Sequence, residues 1–422
     1  PYYYEALALL GAGEADTALD RLSEAERRLG EARDPEFKPL IDTGFAQAHL
    51  QIAREAFASR NTSLALDELD ATELRAKQAI DADPRLVVAY VTLARRYELE
   101  DQYRDALKVV NDALDIPELK ADTNLLVERG EIYYQQDELD LAAQDAYTVL
   151  YIDPTIEQAY LLQIKVALDQ DNPGLAVIYA QNYLFFYPGS AEGYRLLGDA
   201  RRAEGNVDLA LAAYDQALAP TTPTAATVPA LIARANISML QRRYDLARQD
   251  YSRAFDLGGD PEIQAKRMEA AYRAGNLSVA QADAADLMGA GVVPDSQLDL
   301  MRARILVDES DANDTDALTE ALDLLQTASN AVQADLRPVA GEYRARAQYL
   351  MGEYDAALRS INDALANTET GSRHFLRGQI LEALEEPQQA VREYEWVLMW
   401  SEVYPYPFLP DARRRLRLLQ EA

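Results

Sequence analysis

Chemistry needs particular side chains at particular spacings, and this sequence offers few. It contains no cysteine, which removes disulfides, thiol nucleophiles and zinc-thiolate sites together. Its two histidines, His49 and His374, lie far apart with no second ligand at helical spacing, so each reads as a surface or cap residue. Asp and Glu together number 71, but they fall on solvent-facing helical phases, where they solvate a face rather than pair as acid and base. The acid-rich stretch 308–316 lacks the central Gly and terminal Glu of a helix–loop–helix calcium site and reads as an extended turn between helices. Gly258-Gly259 ahead of Asp260-Pro261 reads as a helix stop followed by a helix start. No nucleophile stands beside a base, and no phosphate-cradling loop is found. The sequence therefore predicts no enzyme, no catalytic residue, no metal and no cofactor.

The elements that would position any site are helices. Almost half of the 422 residues are apolar, Ala and Leu dominate, and Gly and Pro are sparse, a balance that favours helix over strand and argues against disorder. No stretch alternates with period two for long, and no window is apolar for long enough to span a bilayer. The formal charge of −30 is spread along the chain, so the surface repels nucleic-acid phosphates and no nucleic acid is expected as a partner. The chain opens at Pro1 with no initiating Met, and Tyr2, Tyr3 and Tyr4 run straight into a helical pattern. A sequence boundary and a cleaved targeting or anchoring segment both fit, so a cytoplasmic and an envelope-anchored location both stay open.

A chain of this length is too long for one ordinary core, and its self-similarity says how the problem is solved. Ala142, Ala176 and Ala210 are 34 residues apart, as are Leu141, Leu175 and Leu209, and Leu150, Leu184 and Leu218. Pro154 and Pro188 keep that step, and so do Tyr160 and Tyr194. A constant period with small, large and Pro residues each in its own phase marks a stacked supersecondary unit. Within residues 87–120, Tyr90, Leu93, Ala94 and Tyr97 form one helical stripe, and Tyr103, Ala106, Leu107, Val110, Ala113 and Leu114 form a second. Each helix of about 14 residues is too short to be stable alone, so stacking must stabilise it. Most tyrosines, among them Tyr90, Tyr97, Tyr133, Tyr160, Tyr194, Tyr214, Tyr244 and Tyr251, fall on core phases. Tyr2, Tyr3, Tyr4, Tyr404 and Tyr406 sit instead at the ends of the array, where exposed rings could dock a partner.

This spacing resembles the tetratricopeptide repeat (TPR) family. The matches are Gly130, Tyr133, Leu139, Ala142, Ala146 and Pro154 in residues 123–156, and Tyr194, Leu197, Gly198, Ala210, Tyr214 and Ala217 in 191–224. The resemblance implies an all-α fold, a right-handed superhelical solenoid of antiparallel helix pairs. It divides the chain into degenerate TPR-like helices at 1–60, a central array at 61–294, an irregular unit with the acidic insertion at 295–337, repeats at 338–404 and a capping helix at 405–422. Asp411 is expected to cap that last helix and Leu416 and Leu419 to cover the final repeat, with the arginines facing outward.

The family's role as adaptor, assembly factor or scaffold implies a protein or peptide partner: an extended peptide or a partner helix on the concave face. The ninth residue of each first helix faces that side in the family, and here the row reads Arg95, Glu131, Lys165, Asp199, Asn236 and Glu269, with Tyr134, Arg195 and Arg202 beside it. Signs alternate over the first four, so an inter-repeat ladder of charge is expected from Arg95 to Asp199. The rival reading is a structural subunit of a larger assembly that packs through its ends and convex face. A third is the repeat region of an enzyme whose catalytic domain lies upstream. Oligomeric state is left open by the sequence.

Overall fold

The computed structural model describes residues 1–32, 36–219, 224–331 and 334–421. Among these there are 23 α-helices and no strand. They fall into two compact units, Pro1–Ala219 and Pro220–Ala422. The first holds α1 (Tyr2–Gly11), α2 (Ala15–Ala32), α3 (Lys38–Ala58), α4 (Thr62–Ala82), α5 (Val87–Glu98), α6 (Tyr103–Leu114), α7 (Thr123–Gln135), α8 (Leu139–Ile152), α9 (Glu157–Asp169), α10 (Pro173–Phe186), α11 (Ala191–Ala203) and α12 (Val207–Ala217). The second holds α13 (Val228–Leu240), α14 (Tyr244–Gly258), α15 (Pro261–Arg273), α16 (Leu277–Asp286), α17 (Asp295–Glu309), α18 (Thr315–Ala331), α19 (Arg337–Leu350), α20 (Tyr354–Asn367), α21 (Gly371–Ala383), α22 (Pro387–Trp400) and α23 (Leu409–Glu421). Each odd-numbered helix except α23 pairs with the even-numbered helix that follows, and each pair packs on the next within its unit. Each unit is thus a solenoid of helix pairs.

One local device makes the pairs. In the turn between first and second helix, the α17–α18 turn excepted, a single residue takes positive φ: Gly13, Arg60, Asp101, Asp137, Asp171 and Gly205 in the first unit, and Arg242, Gly275, Gly352 and Glu385 in the second. The next amide then donates back into the last turn of the first helix, as Gln102 N–H to Tyr97 O at 2.9 Å and Asn172 N–H to Ala167 O at 2.9 Å. This six-to-one bond stops a helix and reverses the chain in two or three residues.

The alanines placed at the joints by period, Ala106, Ala142, Ala176 and Ala210, are fully buried. At two repeats a glycine replaces a larger residue because a ring lies on it. A Cβ on Gly198 would sit 2.5 Å from the Tyr214 ring, and one on Gly378 would sit 2.6 Å from Tyr394. Tyr214 and Tyr394 are themselves fully buried. The hydrophobic clusters run from pair to pair, as Tyr90, Ala94, Val110, Leu126, Ile132, Val149 and Leu162 do across α5 to α9.

Polar groups cross the same joints in a pattern of their own. Arg129 donates to the buried Asp145 at 2.7 and 2.8 Å, Arg234 to Asp250 at 2.7 and 2.8 Å, and Arg267 to Asp283 at 2.5 and 2.9 Å. Arg377 meets Glu393 at 2.5 Å. In every case the acid lies sixteen residues after the arginine, on the facing helix of the same pair. Arg129 and Arg377 also reach back to the preceding pair, to Asn111 at 3.1 Å and Asn362 at 3.3 Å. At α19–α20 the motif is incomplete. Ser360 stands where the acid would be and donates to Gln348 at 2.8 Å, and the Nε of Arg344 is buried with no hydrogen-bond partner.

Several expectations need correction. His374 is a core residue rather than a surface one: it is buried, stacks on Trp396 at 3.8 Å and bonds Glu393 at 2.7 Å. His49 is half-buried against Glu68 at 2.5 Å. Asp411 does not cap α23, which begins two residues earlier. It lies in the first turn instead, paired with Arg414 and Arg415. Leu416 does pack on Leu381, Tyr394 and Val397, but Arg415 turns inward to Glu382 at 2.9 Å. The stretch after Asp308 is a short turn in which Asp311 accepts from Asn313 N–H at 2.7 Å.

The Arg–acid pairs yield a reciprocal test. Asp145→Ser leaves Arg129 without its carboxylate and should cost about 3 kcal/mol, the cost of removing one partner of a buried pair. Ser360→Asp supplies Arg344 with one and should stabilise by about 1.5–3 kcal/mol. Urea-unfolding midpoints measure both. A neutral or lower midpoint for Ser360→Asp would show that Arg344 does not need an acid.

Candidate functional site: the first-helix face of the amino-terminal unit

Within the first unit α1 touches α3, and contacts then link α3 with α5, α5 with α7, α7 with α9 and α9 with α11, while the even-numbered helices make no comparable approach to one another. The spacing is tighter on the first-helix side, which is therefore the inside of the curve. Two adjoining cavities open there, of about 510 and 270 Å3, the scale of small-ligand and peptide side-chain sites. Gln47, Thr92 and Arg95 line both. The first is completed by Leu7, Leu10, Leu50, Gln51 and Arg54. The second is completed by Val87, Val91, Asn124, Val127, Glu128, Ile156 and Gln158. The result is one groove lined by apolar and amide side chains together.

Arg95, the first residue of the expected row, lies in this groove. Its guanidinium clasps Glu128, at 2.9 Å from Nε and 2.8 Å from Nη2, rather than Glu131. Glu128 lies one turn earlier on α7 and is almost wholly buried. Glu131 meets Lys165 at 3.9 Å. Lys165 finds no partner in Asp199, which is held by Arg195 of its own helix and by the Tyr214 hydroxyl at 2.6 Å. Arg195 also grips Glu192 at 2.5 Å. The alternating ladder therefore closes at one rung only, because neighbours on the same helix and one turn earlier are nearer than the ninth residue of the next repeat. Tyr134 donates to Asp169 at 2.5 Å, and the exposed Arg202 reaches the Tyr214 hydroxyl. Asn236, which accepts from Tyr251 at 2.6 Å, and Glu269, paired with Arg273 at 2.5 Å, belong to the second unit.

The residues missed by the sequence reading are on α3 and beside it. Gln47, Gln51 and Arg54 keep the i, i+4, i+7 spacing of one helical stripe, a signal obscured because 30–60 matches the repeat poorly. Glu98, at the end of α5, was missed as well. One of its carboxylate oxygens is buried with no partner. Burial first, then the charge of Glu128 and a hydrogen bond shared with it, push its carboxyl up to about 8, with Arg95 opposing and Glu131 adding to the rise. Arg54 on α3 faces the same cluster.

This acid runs against the usual carboxylate behaviour. Its ordinary value is 4.5, so between that pH and about 8 the folded chain holds a proton that the unfolded chain has lost. Stability from this group is present at low pH and falls as pH rises through that window. Glu98→Gln removes the penalty. Its melting temperature should exceed that of the wild type at pH 8.5, with the gap narrowing on descent to pH 5.5. A gap that does not change with pH would mean that Glu98 is ionised throughout.

No family model matches the sequence, and no curated protein matches it either. Solved structures of similar fold include a tetratricopeptide repeat protein from Parabacteroides merdae, 17% identical over 64% of this chain and 97% of its own, with a TM-score of 0.46. The Cut9-Hcn1 hetero-tetramer of the APC/C is 15% identical over 98% of this chain and 83% of its own, at 0.43. PilF of Pseudomonas aeruginosa is 16% identical over 54% and 97%, at 0.39. All three scores lie below 0.5, so the identification rests on the repeat itself. A 34-residue period, antiparallel helix pairs turned by one left-handed residue, and alanines and glycines at the joints make this a chain of tetratricopeptide-type repeats.

Proposed function

We propose that the protein is a non-enzymatic interaction scaffold whose amino-terminal unit takes an extended peptide, or one edge of a partner helix, along its first-helix groove. The observation that carries this reading is the continuity of the groove: two cavities joined through Gln47, Thr92 and Arg95. An extended chain presents side chains alternately and backbone amides regularly. Apolar pockets would take the side chains, and Gln47, Gln51, Asn124 and Gln158 can both donate to and accept from the backbone. Arg95, Glu131 and Lys165, already paired, would set the polar rim, and Tyr134, Arg195, Asp199 and Arg202 would continue it along α7 and α11. In the second unit Asn236 and Glu269 are proposed to belong to a separate first-helix face.

A second reading has its own support. Met399, Trp400, Val403 and Tyr404 are all exposed near the carboxyl end, and the Trp396, Trp400, Tyr404 and Tyr406 rings succeed one another at 6.0–6.5 Å. Such a surface suits a structural subunit that packs through its end.

Peptides selected on the immobilised protein from a random display library distinguish the two. Gln47→Trp fills the junction of the cavities and should weaken the selected peptides at least tenfold without lowering the melting temperature. Trp400→Ser with Tyr404→Ser should leave them unchanged. Binding that survives Gln47→Trp and is lost in the double variant would favour the end surface instead.

A further inference from the structure

We propose that the occupant of the amino-terminal groove carries an internal acidic side chain, Asp or Glu, that pairs with Arg54 between two apolar anchors. The inference rests on the groove reading above and adds the chemical class of its partner.

Arg54 is the cation of this groove that no carboxylate among the described residues engages directly. The formal charge is −30, so carboxylates outnumber cations, and several cations on the first helices of this unit find them: Arg95 has Glu128, Lys165 has Glu131, Arg195 has Glu192 and Asp199, and Arg129 has Asp145. Arg54 lines the larger cavity and makes neither an ion pair nor a hydrogen bond among the described residues. Its surroundings explain why. Arg54 is exposed to solvent; what desolvation it meets and the nearby Arg95 both work against its charge, while Glu128 and Glu98 favour it from a distance. Glu128 is already committed to Arg95 in a two-point clasp. Burial pushes the Glu98 carboxyl up to about 8, which weakens it as a counter-charge. Arg54 thus stands in the groove wall with no carboxylate joined to it by an ion pair or a hydrogen bond.

A guanidinium cannot shed its proton to escape such a position. Left unpaired, it invites an anion, and a carboxylate can accept two parallel hydrogen bonds from it. Apolar side chains lie on either side of it: Leu7, Leu10 and Leu50 in the same cavity, and Val87, Val91 and Ile156 in the next. An inorganic anion would gain nothing from those walls, whereas a peptide with an acidic residue flanked by aliphatic or aromatic ones fills both cavities and the charge together. The acidic body disfavours an occupant with many negative charges, so one acid among apolar neighbours is the fitting pattern.

The test uses the whole chain and a bead-bound library of decapeptides, acetylated at the amino end and amidated at the carboxyl end so that no terminal carboxylate competes. Among beads that lose the protein on Gln47→Trp, the wild type should select Asp or Glu at one position next to apolar residues. Those peptides should bind Arg54→Gln at least tenfold more weakly in fluorescence anisotropy, with Arg54→Lys between the two, and wild-type binding should weaken with added NaCl. Melting temperatures of the variants equal to wild type keep the comparison clean. Groove-dependent peptides without an acidic position, or acidic ones that bind Arg54→Gln equally well, overturn the proposal while leaving the groove reading intact. A library with no peptide sensitive to Gln47→Trp overturns the groove reading, and this proposal falls with it.

Discussion

Helices of ten to twenty-one residues do not hold their shape alone in water, because nucleation is costly and too few backbone bonds follow it. The whole molecule depends on how closely each helix can approach its partner. Alanines at the joints supply that closeness, and at Gly198 and Gly378 the approach is so tight that only a missing Cβ leaves room for the tyrosine ring opposite. Once the backbones are that near, an arginine on the first helix can reach a carboxylate sheltered on the second. The buried Asp145, Asp250, Asp283 and Glu393 would each be costly without such a partner. Close packing and the charge pairs are thus two aspects of one geometry.

The same geometry explains why the groove lies where it does. Small residues face the joint between first and second helix, so larger side chains are left for the inner face, where α3, α5 and α7 present Gln47, Gln51, Arg54, Arg95 and Glu128. Most of the charge there is neutralised locally. What remains is a lining of apolar and amide side chains and, at Arg54, a cation with no ion pair among the described residues.

How far sequence carried the reading follows from distance along the chain. The 34-residue period, the alanine phases and Gly198 were legible because each is a property of single positions repeated. The Arg–acid motif was not, although all its members are visible: sixteen residues separate the partners, a spacing that falls across a turn and belongs to neither helical periodicity. His374 was misjudged because nothing local reveals that Trp396 and Glu393 on the next helix enclose it. The charge ladder failed on rotation, since Arg95 selects Glu128 over Glu131 by a single helical turn, a difference that side-chain reach settles and residue position does not. Within the groove, Arg95 alone of the expected row was found by spacing. Gln47, Gln51 and Arg54 lie on a helix of 21 residues, longer than the repeat allows, and so escaped the register.

Backbone contacts in both units fall mainly between adjacent pairs, with the Tyr272–Tyr343 hydroxyl bond at 2.7 Å as an exception that passes over one pair, and this bears on how the chain would answer a mechanical load. A globular domain pulled from its ends yields all at once when its shared core fails. Here the core is built pair upon pair and no single core is shared by a whole unit, so tension applied at the termini would peel hairpins away one after another. Each 34-residue repeat released would pay out about 11–12 nm of contour at roughly 3.3–3.6 Å per residue. Before any hairpin lets go, slight opening at every joint adds along the stack, so the protein is compliant as a spring is compliant, by many small displacements in series.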